Sequence, residues 1–318
     1  MKLDLLHHGA LRTKNEGRSR RASNTYAMSG NVWFIIGASS GFGKAIAEEA
    51  LRRGDAVIAA SRRGTTLKGL ESLGATLTDL DATSDDATIN AAFQVAIEKY
   101  GKITHFINAP GYLLEGPAEG VSAQEGLDSI TVNVLAIMNL TRLEIAYLRP
   151  RKSGYIANFG SVGSWFGGPV FSHYSAAKWA VSGYTESVYN EVKDFGINVT
   201  VIEPGYFRTE FLHAQGNNRK LASNMLEAEY KGTSVEASRN AIAAVNNRQL
   251  GDVNKGAKVI VDVLTGSGVA AGKEFPIRLP LGSDCARDIR AKMASTEALI
   301  KEWEDAILST DHDDAQQA

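Results

Sequence analysis

The chain has 318 residues, 34 basic and 36 acidic, for a formal net charge of −2, and 44% of it is apolar. That balance excludes an intrinsically disordered chain, which needs low hydrophobicity and high charge, and 31 glycines with no three-residue period exclude a collagen-like helix. The lone Cys285 can form no internal disulfide and no thiolate metal site by itself, and the apolar runs fall short of the roughly 18 residues that span a bilayer.

Residues 1–30 carry six basic side chains (Lys2, Arg12, Lys14, Arg18, Arg20, Arg21) against Asp4 and Glu16. Without an apolar core this reads as a disordered basic extension. An Arg-rich organelle leader, or a start at Met28, stays open; otherwise a cytoplasmic location is expected. His7 and His8 are too few ligands for a metal site, so no metal is expected. The rest of the chain is mildly acidic and unsuited to nucleic-acid phosphates.

The folded pattern opens with the apolar run Val32–Ile36, a strand ending at Gly37. A helix from Ala45 stops at Gly54, and strands follow at Ala56–Ala60 and Thr76–Leu80. Ser84 or Asp85 caps a helix to Tyr100, Ile103–Ile107 is a strand, and Leu127–Leu148 is helical. Gly154–Asn158 is a strand and Tyr174–Phe195 a long helix closed by Gly196. Asn198–Ile202 is a strand, Asp252–Leu264 a helix and Phe275–Leu279 a short last strand. Such alternation predicts an α/β fold, a doubly wound (Rossmann-like) parallel sheet in a single domain over 31–282. Beyond it, 283–318 reads as a C-terminal helical extension with an acidic tail. Ile289, Met293, Leu299, Trp303 and Ile307 there recur at helical spacing, which should dock on the body or on a partner subunit. Cys285 reads as a spectator.

Between the first strand and helix lies Gly37-Ala38-Ser39-Ser40-Gly41-Phe42-Gly43. Glycines in a strand-to-helix turn let backbone amides and a helix N-terminus approach a pyrophosphate. An acid at the end of the second strand would bind the ribose diol of NAD. Here Ser61-Arg62-Arg63 stands instead, and Arg62 offers a guanidinium to a 2′-phosphate, so NADP(H) is favoured over NAD. Asp81 is placed to accept from the adenine amino group, with a turn residue as the competing reading.

Tyr174 and Lys178 share a helix face, and Ser161 lies thirteen residues before Tyr174, just past a strand end. A free phenol has a pKa of about 10, and a nearby ammonium would lower it. With the glycine turn, this set resembles the short-chain dehydrogenase/reductase family over about residues 31–280. Ile36 replaces a usual threonine, and Asn108-Ala109-Pro110-Gly111 stands where the family has Asn-Asn-Ala-Gly. Asn108 joins the expected cofactor contacts. Asn133 is similar to the family's helix asparagine that holds a relay water, and Pro204, Gly205 and Thr209 to its nicotinamide contact.

The resemblance implies that Ser161 binds the substrate oxygen and that Tyr174 is the general acid/base. Lys178 would lower the Tyr174 pKa and bind the nicotinamide ribose, so Tyr174 and Lys178 also count as cofactor contacts. Hydride transfer from the B face is implied as well. Residues 206–230, with Phe207, Phe211, Leu212, Leu221, Met225, Leu226 and Tyr230, occupy the place of a substrate lid. With Tyr112, Leu113, Trp165, Phe166 and Phe171 they suggest a pocket for a bulky, mostly apolar small molecule bearing a carbonyl or alcohol. His173 reads as a bystander. A reductase or alcohol dehydrogenase is the leading function; an isomerase or dehydratase, and a non-catalytic NADP(H) sensor, are the alternatives. A homo-oligomer through 127–148 and 174–195 is a further expectation.

Overall fold

The structure, a computed structural model, describes residues 30–213 and 218–312. The basic extension up to residue 29, with His7, His8 and Met28, and the tail at 313–318 lie outside the described residues.

All five residues of β1 (Val32–Ile36) are buried, as a central parallel strand covered on both faces requires. The chain then alternates through α1 (Gly41–Arg52), β2 (Ala56–Ser61), α2 (Lys68–Ser72), β3 (Thr76–Asp79), α3 (Asp86–Tyr100) and β4 (His105–Asn108). After β5 (Leu113–Glu115), α4 (Ala123–Ile130) runs through a π turn at Thr131–Leu135 into α5 (Ala136–Leu148). β6 (Gly154–Phe159), α6 (Ser172–Val192) and β7 (Ile197–Pro204) follow. They lead to β8 (Arg219–Leu221), α7 (Ser234–Val245), α8 (Val253–Leu264), β9 (Arg278–Leu281), α9 (Ser283–Glu302) and α10 (Glu304–Leu308).

Seven strands form one parallel sheet in the order β3-β2-β1-β4-β6-β7-β9. Strand side chains alternate between faces, so β1 feeds both halves of the core. Phe34 packs with Ile89, Phe93 and Leu140 under α3 and α5, whereas Trp33 and Ile35 pack with Ile46, Ile260 and Leu264 under α1 and α8. Chain order reverses between β1 and β4, and the crevice outside the carboxyl ends of these strands is where such sheets bind ligands.

Caps set several boundaries. Asp85 accepts from Thr88 N to start α3, and Gly101, at φ +76°, closes it. The helix expected from Leu127 starts at Ala123 because Ser122 and Glu125 form a capping box. The last strand, expected at Phe275–Leu279, lies at Arg278–Leu281: pairing with β7 runs from Val201↔Arg278 to Pro204↔Leu281, and Phe275 instead packs on Tyr155. β7 continues through Pro204 rather than ending before it. The parallel pair β5·β8 had no sequence signal, since three-residue strands are too short to show a period, and α7, which Thr233 caps, was not among the expected helices.

One continuous helix, Ala123–Arg151, has the length and apolar content of a membrane span. Its buried residues include Asn133, Thr141 and Glu144 as well as Ile137, Leu140 and Leu148, and it packs on the sheet as a core helix.

Candidate active site

The turn after β1 is built for glycine. Gly37 has φ +84°, and a Cβ there would lie 2.8 Å from the Ala109 carbonyl carbon; a Cβ on Gly43 would strike the Gly37 carbonyl. Ser40 makes no side-chain cap to α1, so it leaves the amides of the first turn to other acceptors. Gly37, Ser39, Ser40, Gly41, Phe42 and Gly43 all line a cavity of about 440 Å³ at the carboxyl edge of the sheet.

That cavity gathers most of the expected site. At one end stand Ser61, Arg62 and Asp81; at the other, Ser161, Tyr174, Lys178, Pro204, Gly205 and Thr209. A tight glycine turn, an uncapped helix N-terminus and an exposed guanidinium along one wall fit a phosphorylated dinucleotide. The Ser61 hydroxyl is occupied, donating to the Arg63 carbonyl at 2.9 Å and lying 3.2 Å from Thr66 Oγ1. Asp81 forms a local turn, Oδ1 accepting from Thr83 N at 2.9 Å and Thr83 Oγ1 at 2.7 Å, and the residue lines the cavity.

Two expected residues sit behind the wall. Asn108 is fully buried, and its amide donates to Glu144 Oε2 at 3.0 Å and Asn158 Oδ1 at 2.9 Å. It ties β4 to α5 and β6, and Ala109, Pro110 and Gly111 form the wall in its place. Asn133, in the π turn, accepts from Tyr112 N at 3.0 Å and donates to the Tyr112 carbonyl at 3.1 Å. Gly111 is required beside it, since a Cβ there would lie 2.7 Å from Asn133 Oδ1 and its φ is +154°.

Ser161 leaves β6 in extended backbone, and its Oγ accepts from Gly163 N at 3.1 Å. Gly160 stands where the family often has a second serine; a Cβ there would meet Val201, Ser182 and Ser164. The Ser164 hydroxyl donates to the Lys178 carbonyl, which locks this loop to α6. Lys178 Nζ donates to the Phe159 carbonyl at 2.8 Å and lies 5.7 Å from the Tyr174 ring centre. Burial raises the Tyr174 phenol to about 12 against the hydrogen bond from Ser161, and burial lowers the Lys178 ammonium to about 8. Desolvation is the largest influence on the phenol, and the Lys178 proton is directed at a backbone carbonyl.

Of the lid residues, Tyr206, Phe207, Phe211 and Leu212 line the cavity, whereas Leu221, Met225, Leu226 and Tyr230 do not; residues 214–217 lie outside the described residues. Tyr112, Leu113, Phe166 and Phe171 line it too. Trp165 turns away to donate its indole N–H to Glu203 Oε2 at 2.8 Å, and His173 stays outside the wall.

Several contributors escaped the sequence reading. Glu203 Oε1 also accepts from Ser182 Oγ and Arg278 Nη1, each at 2.8 Å, so one buried carboxylate joins the Ser161 loop, α6, β7 and β9. Asp284, at the start of α9, accepts from Tyr206 N at 2.7 Å. Cys285 is fully buried and donates to the Glu203 carbonyl, so it is a packing residue under the site rather than a spectator. Arg219 pairs with buried Glu115 at 2.6 Å and fastens β8 to β5, and Lys220 Nζ lies 4.2 Å from the Tyr112 ring centre. Glu203 carried a signal, a lone acid at the end of a mostly apolar strand, but its partners are distant in sequence. Among the described residues no three His, Cys, Asp or Glu side chains gather as a metal site.

The model of a family described as short chain dehydrogenase matches residues 31–220. The chain belongs to the short-chain dehydrogenase/reductase family. It is accordingly an oxidoreductase that acts on CH–OH or C=O groups of small molecules and binds a nicotinamide cofactor. The oxidoreductase BOA17 of Botryotinia fuckeliana is 30% identical over 283 residues, covering 88% of this chain and 98% of the relative. A solved short-chain dehydrogenase from Streptomyces avermitilis superposes with a TM-score of 0.76 at 32% identity, covering 88% of this chain and all of that one. The actinorhodin polyketide ketoreductase, solved with NADPH, superposes with a TM-score of 0.65 over 80% of this chain and 97% of its own. At 24% identity it shares the fold.

Proposed function

We propose that the protein is an NADPH-dependent reductase of a ketone or aldehyde on a bulky, mostly apolar molecule, or the dehydrogenase of the matching alcohol. The observation that carries this reading is one cavity with Ser161, Tyr174 and Lys178 at one end and the glycine turn and Arg62 at the other. Phe166, Phe171, Tyr206, Phe211 and Leu212 supply the apolar wall beside Tyr174.

NADPH, when bound, supplies the hydride. The amides of the Gly37–Gly43 turn hold the pyrophosphate, Arg62 holds the 2′-phosphate, and Asp81 faces the adenine. Thr209 and the Pro204-Gly205 turn border the nicotinamide, and Lys178 binds its ribose. Ser161 donates its hydroxyl proton in a hydrogen bond to the carbonyl oxygen and Tyr174 gives that oxygen a proton as hydride arrives. Tyr174 is protonated at neutral pH, as a proton donor to the carbonyl oxygen must be. Asn133, which sets the Tyr112 backbone beside Lys178, positions a water through which the proton is replaced.

Tyr174→Phe removes the proton and leaves the cofactor groove. Turnover should fall at least about 10²-fold, with NADPH binding retained in a fluorescence titration. A variant that still turns over refutes the assignment. A panel of ketones and aldehydes, followed by NADPH absorbance, separates reduction from isomerisation, because only reduction consumes the cofactor.

A further inference from the structure

Lys220 is a cation on the cavity wall with no part in the proton or hydride steps. It stands in β8, exposed, and among the described residues it forms no ion pair. Its Nζ lies 4.2 Å from the centre of the Tyr112 ring, a cation–π contact that holds the ammonium without neutralising it. The carboxylates that act on the Tyr112 phenol are engaged elsewhere: Asp128 accepts from Gln124 Nε2 at 2.7 Å, and Glu125 from the backbone N–H groups of Ser122 and Ser223.

The path of β8 gives this charge its meaning. Dinucleotides lie in the crevice where chain order reverses, here between the ends of β1 and β4. One side of that crevice is the glycine turn after β1, and the other is the stretch 110–112 after β4. The chain from Asn218 to Lys220 joins the two sides. Asn218 Nδ2 reaches Ser40 Oγ at 3.5 Å, and two residues on, Lys220 rests on Tyr112. β8 is fixed to the far side: Leu113 N donates to the Asn218 carbonyl and Ala222 N to the Glu115 carbonyl, each at 2.8 Å, and Arg219 pairs with the buried Glu115 carboxylate. Strand alternation turns Arg219 towards Glu115 and Lys220 the other way. Thr209 meets the same glycine turn, since a Cβ on Gly41 would lie 3.8 Å from its methyl group.

We propose that Lys220 is a cofactor-binding residue that holds the dinucleotide pyrophosphate from the side opposite the glycine turn. The turn offers amide dipoles but no full charge. Of the cations that line the cavity, Arg62 sits at the adenosine end and Lys178 is buried against the Phe159 carbonyl, which leaves Lys220 as the cation over the middle. Its flexible stem lets the ammonium pass from the ring face to a phosphate oxygen in a charge-assisted bond. The pyrophosphate is common to NADPH and NADH, so Lys220 tightens both, whereas Arg62 tells them apart. The assignment rests on the dinucleotide site proposed above.

The test is Lys220→Gln, with Lys220→Arg and Lys220→Glu beside it, titrated with NADPH, NADH and adenosine diphosphate ribose, a probe that keeps the pyrophosphate and lacks the nicotinamide. Calorimetry reads the three dissociation constants without a substrate. Lys220→Gln should weaken all three by about 5–10-fold, leave the NADPH-to-NADH ratio unchanged and flatten the dependence on salt. Lys220→Arg should stay within about twofold of the wild type because it keeps the charge, and Lys220→Glu should lose more than Lys220→Gln. The thermal midpoint of the cofactor-free protein should not move. Three unchanged constants overturn the proposal; a KM raised only for carboxylate-bearing ketones would then give Lys220 to the substrate. A loss confined to NADPH places Lys220 on the 2′-phosphate and overturns it as well. So does a loss that Lys220→Arg fails to restore together with a lowered cofactor-free midpoint, because Lys220 then only holds β8. A wild type that binds none of the three probes overturns this proposal and the dinucleotide site together.

Discussion

Arg62→Ala isolates the group that should choose between the two nicotinamide dinucleotides. Arg62 is exposed at the cavity end. The neighbouring acceptors are already spent: the Ser61 hydroxyl bonds within its own loop, and Asp79 accepts from Gly64 N at 2.5 Å and does not line the cavity. The carboxylate at that end, Asp81, is engaged by Thr83, and Arg62 is the charged donor there among the described residues. A charge-assisted hydrogen bond contributes about 1.5–3 kcal/mol when shielded. Exposure and salt reduce that to roughly 1–2 kcal/mol, or about 5–30-fold in affinity. NADPH affinity should fall by that factor in Arg62→Ala, whereas NADH affinity should change less than about twofold. Fluorescence titration of the two reduced dinucleotides reads both constants without a substrate. The discrimination should also shrink as salt rises, because the pair is solvent-exposed. Arg62→Asp should go further and favour NADH, since a carboxylate accepts from a ribose diol and repels a phosphate. An unchanged NADPH-to-NADH ratio in Arg62→Ala would refute the placement of the 2′-phosphate.

Three other perturbations probe the scaffold. Glu203→Gln keeps the shape of the side chain but loses one acceptor and the pairing with Arg278; thermal unfolding should show a loss of about 2 kcal/mol, a drop of about 4–8 °C, with kcat lowered through the Trp165 loop. A midpoint equal to the wild type would show that the buried network holds nothing together. Glu144 is fully buried, and burial raises it to about 8, so the folded chain keeps a proton that the unfolded chain releases above pH 4.5. The Glu144 contribution thus falls as pH rises from about 4.5 to 8, and in urea titrations Glu144→Gln should gain on the wild type across that window, by roughly 2–5 kcal/mol at its upper end. His105, stacked between Trp33 and Tyr155, has the opposite sign. Burial lowers it to about 4, so its contribution is complete above pH 6.5 and is lost as pH falls through the window from 6.5 to 4, about 3 kcal/mol in all. A pH dependence through that window that His105→Phe leaves unchanged would contradict this assignment.

The departures from the family pattern are explained by neighbours distant in sequence. Gly160 has no room for a side chain because Ser164, Ser182 and Val201 close over it. Ala109 and Pro110 replace an Asn-Ala pair without disturbing the polar layer beneath, since Asn108, Glu144, Asn158 and Thr185 bond to one another there. Their chemistry belongs to the space between β4, β6 and two helices, and no local motif announces it.

The sequence by itself determined the alternation of strands and helices, the glycine turn and the Ser161, Tyr174 and Lys178 set. These are properties of period and spacing: a buried parallel strand must be apolar throughout, and a helix must place residues four apart on one face. Only the tertiary structure decided what lies behind that first layer. It withdrew Asn108 and Trp165 from the cavity and gave Glu203, Asp284 and Cys285 their places beneath it, because burial and pairing join residues tens of positions apart. It aimed the Lys178 ammonium at the Phe159 carbonyl, a placement that residue spacing does not show. The helical spacing of Ile289, Met293, Trp303 and Ile307 was legible from the start, but only the fold shows that the body covers Ile289 and leaves the others exposed.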